Sequence, residues 1–361
     1  MKWPNHGGQP EAIKKLLHMN DEKKLLDFSA NLNPLGPPNW LQESLNNSYE
    51  VICRYPDPTY STSSARVANH EGIDPDKVLL TNGGAEAIFL VAKYFEQGKA
   101  LIVHPTFLEY ERACKHYHID VEDIFYKQEN NFKLPMETIT EKLTDKNILF
   151  LCRPNNPSGT VIPEEDIKVL LEEGKKTDTY IAVDEAFVDF LPASIPTLSA
   201  WLHTYSNLIL FRSLTKMYTI PGLRIGYMMA DASIINQLKK EQIPWSINGL
   251  VDAVVPKLLE DNRFVEQTSN WLHEQSNYIY RTLKQLNFYF SASSVNFYLL
   301  RDNLQPKRTE ELFHFLVGHG ILARHTHNFK GLNGKYLRIA IRSKEENEQL
   351  LTALRKWRET S

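Results

Sequence analysis

Six short apolar runs between residues 77 and 230, reading KVLLT, ALIVH, ILFLC, YIAVD, LILFRS and IGYMMA, constrain this chain more than any other feature. Stretches with helical spacing lie between them at 84–96, 106–117 and 163–175. Strands alternating with helices build βαβ units, which assemble into a mostly parallel sheet with helices packed on it. Runs this continuously apolar are buried on both faces. The chain is therefore expected to be α/β, with a large domain over residues 39–262. After a long helical pattern from Arg263 to Leu286 the order changes to strand VNFYLL, helix RTEELFHFLVG, strands ILARH and YLRIAIR, and a final helix KEENEQLLTALRKW. That α+β pattern predicts a smaller domain, formed by residues 1–38 together with 263–361.

A chain of 361 residues is long enough for about two domains. With 42% hydrophobic and 24% charged residues it has the composition of a globular protein. A net charge of -3 gives no field for a polyanion, so no nucleic-acid partner is expected. The cysteines, Cys53, Cys114 and Cys152, lack CxxC spacing, which speaks against a disulfide framework or a metal site and for a reducing compartment. The N-terminal stretch has no signal-peptide core, and no run approaches a membrane span, so a cytoplasmic protein with no membrane partner is expected.

Each of five apolar runs is followed by a polar motif. In an open parallel sheet the carboxyl ends of the strands face the ligand crevice, so the five motifs converge there. TNGGAEAIF places two glycines at a helix start, where the backbone can approach a phosphate closely. HPTF offers Phe107, either as a ring for stacking or as a core residue. RPNNPSG is a rigid polar turn with two amides. Asp184 ends a buried strand, which is costly unless it is paired. Opposite a pyridine nitrogen it would keep that nitrogen protonated; otherwise it caps the next element. FRSLTKMYTIPGLRIGY holds Lys216, an amine able to condense with an aldehyde, beside Ser213, Thr215 and Arg224, which suit a phosphate. Lys216 is thus the candidate to carry a pyridoxal phosphate cofactor.

The ordered set NGGAE, PTF, RPNNPSG, DEA, SLTK and PGLRIG resembles the fold type I pyridoxal-phosphate enzymes of the aspartate aminotransferase superfamily over nearly the whole chain. The resemblance implies a sheet of the seven-stranded type. It implies Lys216 as the Schiff-base lysine, Asp184 on the pyridine nitrogen, Asn156 on the ring oxygen and Phe107 stacked on the ring. Gly84, Ala85, Ser213, Thr215 and Arg224 would hold the phosphate. Tyr55 is similar to the tyrosine that reaches the neighbouring subunit's cofactor, which implies a homodimer with shared active sites. Arg338 resembles the arginine that binds a substrate α-carboxylate. One departure is Phe187, where members with histidinol-phosphate aminotransferase activity usually carry tyrosine.

Within that superfamily, His6-Gly7-Gly8 and DFSANLNPLGPP look most like the L-threonine O-3-phosphate decarboxylases of cobalamin synthesis. This implies a phosphorylated amino acid as substrate and (R)-1-amino-2-propanol O-2-phosphate as product. His6, Gly7, Gly8, Asn33, Arg324 and Arg342 are then the expected contacts on the substrate's phosphate side. Histidinol-phosphate transamination, with 2-oxoglutarate as acceptor, uses the same machinery and is the alternative. A catalytically idle cofactor-binding regulator is a third reading, against which an intact Lys216 and Asp184 argue.

Overall fold

A computed structural model describes residues 3–19 and 24–360. Its strands are β1 (Leu26–Asp27), β2 (Val78–Thr81), β3 (Lys99–His104), β4 (Asp120–Phe125), β5 (Ile148–Cys152), β6 (Tyr180–Asp184), β7 (Leu208–Ser213), β8 (Gly226–Met229), β9 (Phe288–Phe290), β10 (Phe297–Asp302), β11 (Ile321–Leu322), β12 (Arg324–His325) and β13 (Leu337–Ala340). β2 to β8 form one seven-stranded sheet in the order β2-β8-β7-β6-β5-β3-β4. All its pairings are parallel except those of β8, which runs against both β2 and β7.

The exception has a local cause. A parallel return needs a crossover long enough to travel back along the sheet. β7 instead leads into a four-residue helical turn, Leu214–Met217, and a short loop that re-enters the sheet at Gly226. The chain doubles back at the carboxyl edge, with Gly226 beside Ser213 on one side and Thr81 on the other.

Burial follows the alternation along the strands. On β5, Leu149 and Leu151 join one apolar cluster while Ile148 and Phe150 join the other. The sheet is thus covered on both faces, as its apolar runs require. β4, reading DVEDIF, is an acidic edge strand with only Ile124 buried, which is why no apolar run announces it.

A second sheet, β12-β13-β10-β9, is antiparallel. ILARH, expected as one strand, is two: β11 pairs in parallel with β1, and β12 pairs with β13. The chain changes sheets at Ala323, because the N-terminal segment supplies a partner for the first half alone. The predicted helices at 84–96, 106–117 and 163–175 are observed as Gly83–Tyr94, Glu109–His116 and Glu164–Thr177. Among the described residues no helix is long and apolar enough to cross a membrane. The three cysteines are free.

Candidate active site

The carboxyl ends of β2, β3, β5, β6 and β7 open into a cavity of about 390 Å³, closed from the other side by residues 5–8, 29–32 and the β12 region. Gly84, Ala85, Phe107, Asn156, Asp184, Ser213, Thr215, Lys216, Arg224, His6, Gly7, Gly8, Arg324 and Arg338 all line it. The structure therefore brings together fourteen of the seventeen residues singled out from the sequence.

Lys216 sits on the helical turn after β7, and among the described residues its Nζ has no hydrogen-bond partner. Burial, then the Arg338 and Arg224 cations, push its pKa down to about 8, against the attraction of Asp184. A lysine so placed is about one-tenth neutral at pH 7, far more than an ordinary lysine, and the neutral form is the one that acts as nucleophile and base. Asp184 ends β6. Tyr110 donates to its Oδ2 at 2.6 Å and the Ala186 amide to its Oδ1 at 2.9 Å. Burial raises the Asp184 pKa, opposed by these two bonds and by Lys216. Among the described residues it forms no salt bridge, so a buried carboxylate faces the cavity without a cation.

The opposite end of the cavity is built for an anion. The helix Gly83–Tyr94 points its first amides inward, and the Asn82 amide donates to Glu86 Oε2 at 2.6 Å, which fixes the turn. Gly83 has φ +74°, and a Cβ there would lie 2.6 Å from Arg224 Nη2, so only glycine lets that guanidinium cross the helix start. A Cβ on Gly226 would meet the Arg212 carbonyl at 2.6 Å and the Gly84 amide at 3.0 Å. Ser213 and Thr215 hydroxyls lie 2.8 Å apart beside them.

Asn156 Oδ1 accepts from Arg338 Nη1 at 2.6 Å, while Arg338 Nη2 donates to the Ser29 carbonyl at 2.6 Å. Asn156 thus lines the cavity with its amide oxygen already engaged. Phe107 meets Tyr110 edge-on at 5.8 Å, and His6 lies 6.2 Å from Phe107 and 3.0 Å from Glu109 Oε1. Phe187 packs edge-on against Phe297 at 4.9 Å, an apolar wall where a tyrosine hydroxyl would have been polar.

Three expected residues are not on the cavity. Asn33 is buried with its amide spent inside the fold, donating to the Met217 carbonyl at 3.0 Å and Thr268 Oγ1 at 2.7 Å and accepting from the Leu35 amide. Its role is to fix the loop that carries Lys216. Arg342 lies beyond the end of β13 and pairs with Glu346 at 2.8 Å on the final helix. Tyr55 is 81% exposed and lies against Trp245, away from this chain's own cavity.

Sequence reasoning missed Asn31. It lines the cavity at 6% exposure, and neither its Nδ2 nor its Oδ1 has a partner. Such a group is costly unless a ligand completes it. The signal was present in SANLNP: in an extended segment residues two apart share a face, yet here the turn at Asn33 sends the second amide inward. Tyr110, Asn328 and Phe329 were also missed.

Behind the cavity lies a buried ionic layer. Arg153 donates to Glu185 Oε1 at 3.0 Å, and Arg212 pairs with Glu71 at 3.0 Å and Asp189 at 3.2 Å. Burial pushes Glu185 up to about 7 despite both arginines. The layer joins the RPNNPSG, DEA and FRS motifs from beneath.

A partnerless amine, a buried carboxylate lacking a cation and a helix-start anion cradle in one cavity match the aldehyde, pyridine nitrogen and phosphate of pyridoxal 5'-phosphate. Lys216, Asp184 and the Gly84, Ala85, Ser213, Thr215, Arg224 set fit those three ends in turn. The threonine-phosphate decarboxylase of Salmonella typhimurium is 35% identical over 353 residues, covering 97% of this chain and 95% of that protein. The crystal structure of the histidinol-phosphate aminotransferase from Clostridium acetobutylicum superposes with a TM-score of 0.87 at 28% identity, covering 93% of this chain and all of that one. That of L-threonine-O-3-phosphate decarboxylase from Porphyromonas gingivalis gives 0.81 at 26% identity, covering 92% and 99%. The aminotransferase class I and II family profile matches residues 23–354, so the chain belongs to that family of pyridoxal-phosphate enzymes.

Proposed function

We propose that this enzyme decarboxylates L-threonine O-3-phosphate to (R)-1-amino-2-propanol O-2-phosphate, a step of cobalamin synthesis, in the cytoplasm. One observation carries the reading. Arg324 and Arg338 are cross-strand partners on β12 and β13, both buried, both lining the cavity, and among the described residues neither forms a salt bridge. Like charges directly opposite on neighbouring strands are destabilising by themselves. A substrate that carries a carboxylate and a phosphate a few bonds apart answers both. The Salmonella relative's name agrees with it.

In this reading Arg338 holds the α-carboxylate by its planar fork, with Asn156 and the Ser29 carbonyl fixing the guanidinium. Arg324, Asn31 and the His6-Gly7-Gly8 backbone face the phosphate. When bound, the cofactor supplies an electron sink for the bond that breaks at Cα. Asp184 keeps positive charge at the far end of that sink, because a buried carboxylate stabilises a cation beside it. Phe187 and Phe297 exclude water from the carboxylate side. As CO2 leaves, Cα needs one proton, and Lys216 Nζ is the acid and base within the cavity to return it. Tyr49, Ile52, Tyr55, Ile243 and Trp245 are each exposed, with Tyr55 and Trp245 in contact at 4.8 Å, and we assign them to a homodimer interface with Tyr55 reaching the partner's site. Residues 39–262 would form the cofactor domain and the remainder the small domain.

Histidinol-phosphate transamination is the second reading, favoured by the Clostridium structure's TM-score of 0.87. The two separate in one assay: CO2 released from threonine phosphate, against amino transfer from histidinol phosphate to 2-oxoglutarate. Transfer without CO2 release overturns the decarboxylase reading.

A further inference from the structure

The N-terminal segment lies across the cavity as a strap, and its anchorage and the phosphate site share one group. Trp3 stacks on His327 at 5.0 Å, packs on His325 at 4.5 Å and meets Phe313 edge-on at 5.3 Å. The next two residues turn their carbonyls onto Arg324. Its Nη1 lies 3.2 Å from the Pro4 carbonyl and 2.6 Å from His325 Nε2; its Nη2 lies 2.6 Å from the Asn5 carbonyl and 2.8 Å from Asn328 Oδ1. Asn328 Nδ2 holds the Asn5 carbonyl as well, at 2.9 Å. A guanidinium has two hydrogens on each terminal nitrogen. Three acceptors, the Pro4 and Asn5 carbonyls and Asn328 Oδ1, already face these nitrogens, and His325 Nε2, also 3.1 Å from the Pro4 carbonyl, is a fourth in the tautomer that carries its proton on Nδ1.

We propose that the Pro4 and Asn5 carbonyls are a specificity-determining gate: they hold Arg324 until a dianionic phosphate displaces them, and residues 3–5 of the strap loosen as that phosphate binds while His6-Gly7-Gly8 stay on it. This rests on the reading of Arg324 as the phosphate-side cation. The exchange favours a phosphate because its oxygens add the attraction of opposite charges and a bidentate fit to the guanidinium, neither of which a neutral carbonyl supplies. An uncharged hydroxyl has no such advantage, so an unphosphorylated amino acid leaves the strap seated and Arg324 engaged. A binding-competent state that is only partly populated weakens apparent affinity by that fraction. Removing the strap's anchor therefore strengthens phosphate binding, the opposite of what a strap that merely contacts phosphate would give.

The test uses the holoenzyme, whose cofactor site is filled, and inorganic phosphate as the probe. The Trp3 fluorescence of the wild type, taken as its difference from Trp3→Ala, is expected to shift toward that of a solvated indole when phosphate is added, because the ring leaves His325, His327 and Phe313. Trp3→Ala, which removes the stacked anchor, is expected to bind phosphate about three- to tenfold more tightly by calorimetry. Arg324→Met should lose that binding in both backgrounds. A Trp3 fluorescence that phosphate leaves unchanged, or a Trp3→Ala affinity equal to or weaker than wild type, overturns the gate. These readouts need no turnover. Failure to release CO2 from threonine phosphate would sink the proposed reaction while leaving the exchange at Arg324 intact, and the reverse result would sink the exchange alone.

Discussion

Lys216→Met in the cofactor-free protein tests the electrostatics of the site without asking for catalysis. The lysine's pKa falls from its ordinary 10.5 to about 8, a lowering of about 2.5. At about 1.36 kcal/mol for each tenfold step, charging the amine in the fold costs up to about 3.4 kcal/mol. Lys216 is only partly shielded from the cavity, and water there trims the figure to about 2 kcal/mol. The sign follows from proton counting. Below pH 8 the amine is protonated in folded and unfolded chains alike, so the fold carries the whole cost. Between pH 8 and 10.5 the unfolded chain binds more protons, and stability rises with pH. Methionine matches the stem and removes the charge. Urea unfolding at pH 7 should therefore find the variant more stable by about 2 kcal/mol, with the gap closing as pH rises from 8 toward 10.5. A constant gap would reflect packing alone, and a wild type more stable at pH 7 would refute a depressed, unpaired amine.

Asn31→Ala should raise KM for the phosphorylated substrate by about tenfold or more, the loss expected for a hydrogen bond to a charged group, while leaving the urea midpoint unchanged or higher. Asn33→Ala should do the reverse, lowering stability by about 2–3 kcal/mol through the loss of its buried bonds, with whatever enzyme remains folded keeping its KM. Arg153→Met should cost up to about 3 kcal/mol by leaving the buried Glu185 with Arg212, 3.6 Å away, as its one remaining cation among the described residues. That loss should ease as pH falls through about 7, because Glu185 is then protonated and needs no cation.

The parts of the fold that were legible are those where burial writes a continuous pattern. β2, β3, β5, β6, β7 and β8 could be read because both faces of each are covered, and the cofactor-side residues followed because each lies at or within a few residues of the end of such a strand. β4 could not, since an acidic edge strand has no apolar run to betray it. ILARH failed because its division between β11 and β12 depends on β1, almost 300 residues away in the chain. Asn31 and Asn33 show the same limit at the scale of one side chain. Both are asparagines in one short motif, and only the contacts of Asn33 with Met217 and Thr268 decide which of them turns from the ligand. Arg342 resembled Arg338 by its place in one strand-like run, yet β13 ends at Ala340 and the chain has turned toward the final helix.

The division of labour in the site follows from where each charge is held. Lys216 and Asp184 come from two neighbouring parallel strands of the large sheet, and the buried Arg153–Glu185–Arg212 layer holds those strand ends from beneath. Arg324 and Arg338 come from the antiparallel sheet; burial lowers Arg324 to about 10, and burial together with the Arg324 charge lowers Arg338 to about 9. In the proposed reaction the first pair serves the cofactor whatever the substrate does, and the second pair determines which Cα bond is presented, because it would grip the two anionic ends of the molecule and so fix its rotation. If the Pro4 and Asn5 carbonyls gate Arg324 as proposed, that rotation is set only after the phosphate has taken the guanidinium, and phosphate binding and commitment of the carboxylate to cleavage are one ordered event.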